Sequence, residues 1–219
     1  MTAVVGGRRK TMGAPSLRVR ELIGAIVLAL IGATRVHAQQ QPVRAPDPYR
    51  DADAYEIYSL VLSHEWGWNA ARLVIRETTS TDSALEGAQC IQLQDEEQNK
   101  FHPAIEDFVQ VNKSVRTLLP MLNIAKPYDL VSEAELKAFT PSVLHVTEED
   151  VWKQRHPGAE GYLELSSVGF NDNRSPALVY VSHCCGTLCA GGSFYLLEKK
   201  DGKWQAAKGT TGMICGWIS

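Results

Sequence analysis

At Gly161 the hydrophobic period of this chain changes, and no other feature limits the fold as strongly. From there on apolar residues recur in short runs at strand spacing, over 162–170, 177–183, 193–199 and 203–208. Asp201-Gly202 separates the last two runs. A two-residue type I′ turn needs two positive φ angles, which this dipeptide tolerates, so the pair predicts a tight hairpin. Residues 171–176 are rich in turn formers and separate the first two runs. Together these signals predict an antiparallel β-meander.

Before Gly161 the spacing is mostly helical. Asp51 or Asp53 caps a helix expected over about 52–64, with Ala54, Ile57, Tyr58, Val61 and Leu62 on one apolar face. Residues 72–78 alternate and are rich in β-branched side chains, which predicts a strand. A polar, acidic stretch carrying Cys90 follows. Pro103 suits the first turn of a helix in which Ile105, Phe108 and Val109 share a face. Residues 128–131 form a short, mostly apolar run. Ser132 to Glu135 makes a capping box and Thr147 to Asp150 resembles one, so short helices are expected over about 133–139 and 148–155. Helices first and strands last predict an α+β fold, with N-terminal helices packed on a C-terminal antiparallel β-meander.

The ends and the charge bear on compartment and partners. Residues 1–38 read as a signal peptide. Arg8, Arg9, Lys10, Arg18 and Arg20 are its basic region, 22–33 its apolar run, and Val36-His37-Ala38 its cleavage site. The apolar run is shorter than the ~20 residues a membrane-spanning helix needs. Residues 39–50, with Pro42, Pro46 and Pro48, read as a flexible leader, and 51–219 as a single domain. The whole chain has 22 basic and 25 acidic residues; without the leader's six and one, 16 face 24. That balance argues against a nucleic-acid partner, which calls for a basic patch. The expectation is an exported protein, periplasmic or secreted, with no integral membrane segment after signal cleavage.

Five segments recur as a pattern: Ser167-Val168-Gly169-Phe170-Asn171, Ala177-Leu178-Val179-Tyr180-Val181, Cys185-Gly186-Thr187-Leu188-Cys189, Tyr195-Leu196-Leu197-Glu198-Lys199 and Gly202-Lys203-Trp204. In them the chain resembles a group of exported bacterial proteins of unknown function, which carry a Cys-Gly-x-Leu-Cys-Gly core between two strands. Ala190 stands where that group tends to have glycine, and Cys184 is additional. The match is good over the C-terminal strands and loose over the helical half. The resemblance implies an exported bacterial domain; it carries over no activity and no catalytic residue.

Five cysteines allow at most two intramolecular disulfides and leave one over. Cys184, Cys185 and Cys189 cluster beside His183. Cys185 and Cys189 flank three residues between two strands, so a bridge there would staple the mouth of a hairpin. Cys215 could return to Cys184 or Cys189. Cys184 and Cys185 face opposite sides of a strand, and the partner of Cys90 is not readable. The competing reading is a metal set of His183, Cys185, Cys189 and Cys215. Only one C-x₃-C spacing supports it, where structural zinc sites usually show two pairs; soft thiolates would also suit Cu(I). A redox role is disfavoured, because redox pairs use C-x-x-C at a helix start, not C-x₃-C between strands.

Elsewhere no H-E-x-x-H or G-x-S-x-G occurs, and no catalytic residue or cofactor is assigned. Trp66 and Trp68, with Tyr55 and Tyr58, could stack against a sugar or peptide, although aromatics at helical spacing are more often core. Asn171-Asp172-Asn173 reads as a plain turn. His64, His102, His145 and His156 are scattered and read as surface or satisfied structural residues. The leading expectation is a non-catalytic binding or interaction module stabilised by disulfides, with a protein or glycan partner. The alternative is a thiol-redox or metal-binding protein using His183, Cys185, Cys189 and Cys215.

Overall fold

In a computed structural model, residues 44–64, 70–93, 95–139, 147–186, 189–207, 209 and 212–219 are described, and Ala45–Ser219 packs as one unit. Helix α1 (Ala52–His64) matches its predicted span. The Asp51 carboxylate accepts the Ala54 amide at 3.3 Å and so satisfies one of the donors left open at a helix start. Its predicted apolar face is buried together with Tyr55. The Tyr58 hydroxyl donates to the Ser166 carbonyl at 2.6 Å and ties the helix to the strands.

The sheet departs from the expected meander. It has eight strands: β1 (Leu73–Arg76), β2 (Tyr128–Val131), β3 (Tyr162–Leu165), β4 (Gly169–Phe170), β5 (Ala177–Gly186), β6 (Cys189–Lys200), β7 (Lys203–Ala206) and β8 (Met213–Ile218). The order is β2-β1-β3-β5-β6-β7, with β4 also on β5 and β8 also on β6. β1 is parallel to both β2 and β3, so the sheet is mixed. Every other pairing is antiparallel. The physical reason is burial on both faces, which favours unbroken apolar runs over alternation. Val179, Val181, Tyr195 and Leu197 face a cluster that includes Ile57, Tyr58 and Val61 of α1. Leu178, Tyr180, Phe194 and Leu196 face a second cluster with Ala84, Phe101 and Phe108. Val74 and Val131 join a third with Leu136 and Trp152.

Further boundaries differ from the expectation. Helix α2 (Asp82–Gly87) leads into a 3-10 turn (Ala88–Cys90). Helix α3 (Asp95–Val111) starts well before Pro103, which lies inside it. An interior proline costs a helix about 3 kcal/mol. Here the complete burial of Ala104 and Phe108, with Phe101 close behind, offsets that cost. The predicted strand over 162–170 is broken into β3 and β4 because Ser167 leaves the ladder and Ser166 keeps only half of its rung, its amide still donating to the Tyr180 carbonyl at 3.0 Å. Ser166 Oγ takes the Tyr180 amide at 2.9 Å, and the buried Asn112 side chain pairs both backbone groups of Ser167. Gly169 lets β4 lie on α3: a Cβ there would come 2.3 Å from the Phe108 nitrogen.

Helices α4 (Glu133–Phe139) and α5 (Thr147–Arg155) form as expected, and Ser132 Oγ accepts the Glu135 amide at 3.2 Å. α5 begins on Thr147 itself, one residue earlier than predicted. The β6–β7 turn takes the predicted form, with φ of 51° at Asp201 and 76° at Gly202. Among the described residues no helix is long and apolar enough to cross a membrane.

Candidate functional site

Two places carry chemistry: the cysteine end of the hairpin β5–β6, and a cleft beside α3. At the first, strand alternation sets the faces. His183 and Cys185 are two apart on β5 and so share the face that Val179 and Val181 present to α1. Gly191 is the direct cross-strand partner of His183, and Cys189 lies two residues before it on β6, on the same face. A bulge at Cys185 brings Gly186 opposite Cys189. The ligand atoms of His183, Cys185 and Cys189 consequently lie within 4.8 Å of one another. Gly191 makes room for the imidazole: a Cβ there would come 2.7 Å from His183 Cε1. Burial lowers the pKa of His183, so its ring is neutral at pH 7.

Cys185 and Cys189 form a disulfide, with Cα atoms 5.1 Å apart. The second disulfide joins Cys90 to Cys215, with Cα atoms 6.0 Å apart. Cys215 therefore does not return to Cys184 or Cys189, and it does not join the His183 set. The reason is again the choice of face. Cys215 sits opposite Phe194, whose side chain belongs to the face away from α1, and Cys90 packs against that same cluster. Cys184 lies outside both disulfides, on β5 opposite Tyr162 of β3.

Of the predicted aromatic surface, Trp66 and Trp68 lie outside the described residues. Tyr55 and Tyr58 are core residues at 4% and 0% exposure, so they offer nothing for stacking. His156 is structural as expected: it is buried between Asp129 and Glu135, at 3.4 and 3.3 Å, with its ring centroid 4.7 Å from that of Trp152.

The second place is not foreshadowed in the sequence. A cleft of about 870 Å³ opens between α3, the 116 segment, β4 and the turn after it. Its lining includes Tyr49, Asp107, Gln110, Arg116, Asn171 and Arg174. Asp107 accepts the Phe170 amide at 2.8 Å and fixes the wall to α3. Arg174 grips both carboxylate oxygens of Asp51, at 2.6 and 2.7 Å, and that of Asp53 at 2.8 Å. Its guanidinium lies 3.9 Å over the Phe170 ring. The Tyr49 hydroxyl accepts the Val168 amide at 3.0 Å, and burial pushes its pKa up, so it stays a neutral phenol. The turn read as plain from Asn171-Asp172-Asn173 is thus one wall of the cleft: the Asn171 side chain accepts the Ser175 amide at 2.6 Å and holds it. The only hint in the sequence was the density of turn formers there, since the other walls come from remote segments.

No protein family, no curated protein and no solved structure matches this chain.

Proposed function

We propose that the chain is an exported, disulfide-stapled binding module, and that the cleft beside α3 takes a hydroxyl-rich ligand such as a stretch of glycan. The observation that carries this reading is the cleft's lining. Carboxylates, amides, guanidinium groups and a phenol line the cleft, and its open surface is more polar than apolar. Paired sugar hydroxyls match carboxylates, amides and guanidinium groups, which each present two donor or acceptor atoms in a plane. A protein partner would call for desolvated aromatic or aliphatic anchors instead. On balance the lining is acidic, with Asp51, Glu106, Asp107 and Asp172 against Arg116 and Arg174, which favours a neutral or amino sugar over an acidic one.

Export is supported by the leader-like N-terminus and by four cysteines engaged in two disulfides, which persist in oxidising compartments. The resemblance to exported bacterial proteins points the same way. The α1 cluster supports a helical N-terminal half packed on the later strands. A protein partner is the second reading. It rests on Met213, Trp217 and Ile218, which are exposed on β8.

The test is an array of neutral, amino and acidic oligosaccharides probed with the disulfide-intact protein and with Gln110→Ala and Arg116→Met. Binding to a neutral or amino-sugar subset that both substitutions weaken supports the cleft. Uniform silence on the array, or binding indifferent to both substitutions, contradicts it.

A further inference from the structure

The His183 end of the sheet carries an inference separate from the cleft. We propose that reduction of the Cys185–Cys189 bond turns this end of the sheet into a three-donor site for a soft metal cation, Cu(I) foremost, held by His183, Cys185 and Cys189.

Three observations carry it. The donors are on one sheet face and already within 4.8 Å of one another. A trigonal ion with metal–sulfur bonds of about 2.3 Å needs donors about 4 Å apart, so modest adjustment of a hairpin end suffices. Second, Gly191 leaves out a Cβ that would come 2.7 Å from the imidazole, so the ring lies over β6 on the face it shares with Cys189. Third, among the described residues the set stops at three. Cys215, which would complete a tetrahedral zinc site, is on the other face and bonded to Cys90. Structural zinc takes four protein ligands, and catalytic zinc takes three with a water in the fourth place, so softness and coordination number together, not count alone, favour Cu(I) here. Two thiolates and an imidazole suit Cu(I), which is soft and accepts three-coordination.

The gating step balances as thiol–disulfide exchange. A dithiol reductant attacks one sulfur of the Cys185–Cys189 bond, passes through a mixed disulfide and leaves as its own disulfide, delivering two electrons and two protons to the cysteines. Both thiol protons leave when the thiolates bind the cation. In the oxidised chain neither sulfur carries a lone thiolate and the site is closed. The Cys185–Cys189 pair would thus respond both to reducing power and to copper.

The experiment uses the full mature chain carrying Cys184→Ser, to remove the odd thiol. One sample is kept oxidised. The other is reduced with a soluble phosphine, desalted without air and counted for thiols by alkylation and mass. Each is titrated with Cu(I) against bicinchoninate. Expected is one bound equivalent in the reduced sample and none in the oxidised one. Cys185→Ser abolishes the uptake and Cys215→Ser leaves it. His183→Gln weakens it by at least the roughly ten- to hundredfold that even an outer hydrogen-bonding partner is worth to a metal site. X-ray absorption on the loaded protein needs no variant and should show two sulfur donors and one nitrogen. Equal uptake by Cys185→Ser, no uptake after reduction, or an all-sulfur donor set would each overturn the proposal.

Discussion

Replacing Asn112 by alanine tests how the cleft is built. Asn112 is fully buried at the end of α3. Its Nδ2 donates to the carbonyls of Phe108 at 2.9 Å and Ser167 at 3.0 Å, and its Oδ1 accepts the Ser167 amide at 2.8 Å. Ser167 is itself 1% exposed and sits where the strand breaks between β3 and β4, so it has left the ladder. Alanine would strand the Ser167 amide away from water, while the Ser167 carbonyl keeps the Ser166 hydroxyl as donor at 2.9 Å. Each buried group left unsatisfied costs about 1–3 kcal/mol. With one such group, the expected loss is about 1–3 kcal/mol, toward the lower end if a water enters the space left behind. With a urea slope of about 2 kcal/mol per molar, the unfolding midpoint should fall by about 0.5–1.5 M. The assay is urea unfolding of the disulfide-intact protein followed by tryptophan fluorescence. Because Ser167 and Val168 line the cleft, sugar affinity should fall as well. A midpoint within ~0.3 M of the parent would refute the claim that Asn112 holds the strand break.

The two disulfides should differ in worth. In the chain-entropy picture, the Cys90–Cys215 link, with a separation of 125 residues, contributes about 5 kcal/mol, and the Cys185–Cys189 link, with a separation of 4, about 2. Thermal unfolding of the two double-serine variants should rank them in that order, and the reverse order would contradict the pairing. Asp53 gives a pH dependence. Desolvation would raise its carboxyl, but hydrogen bonds from Lys199, Arg174 and Trp204 outweigh that and hold the pKa at about 2, below the unfolded value of 3.8. Its stabilising contribution is therefore present above pH 3.8 and is lost as the pH falls toward 2; Asp53→Asn should flatten that part of the stability curve. Gly169→Ala drives a Cβ into the backbone of Phe108 and Ala104. Its cost should reach about 3 kcal/mol or more, read in the same urea assay.

The sequence speaks clearly where burial is one-sided. α1 buries a single stripe against the sheet, so its 3.6-residue spacing survives in the sequence and its span is readable. The strands of the hairpin β5–β6 are also readable over 177–183 and 193–199, though they run on to Gly186 and begin at Cys189, and so is the turn at Asp201. Their surroundings are not, because both faces are covered and the unbroken apolar run Ala177-Leu178-Val179-Tyr180-Val181 says nothing about which helix covers which face. β1 and β2 have four residues each and pair in parallel across more than fifty intervening residues, so no local turn announces them.

The cysteines follow the same rule. The Cys185–Cys189 bond is local and geometrically evident. The Cys90–Cys215 bond depends on β8 docking with Cys215 turned toward Phe194, a matter of register that spacing alone does not carry. The cleft is the least readable part. Its walls come from α3, the 116 segment and the Asn171 turn, each of which looks like an ordinary polar surface until the fold brings them together.

The most direct measurement is an NMR titration of the ¹⁵N-labelled, disulfide-intact chain with the best oligosaccharide from the array. Saturable shifts are expected only at amides around the cleft, those of Gln110, Val168, Phe170 and Asn171 foremost. Saturable shifts centred on Met213, Trp217 and Ile218 of β8 instead, or no saturable shift at all, would contradict a ligand site in the cleft.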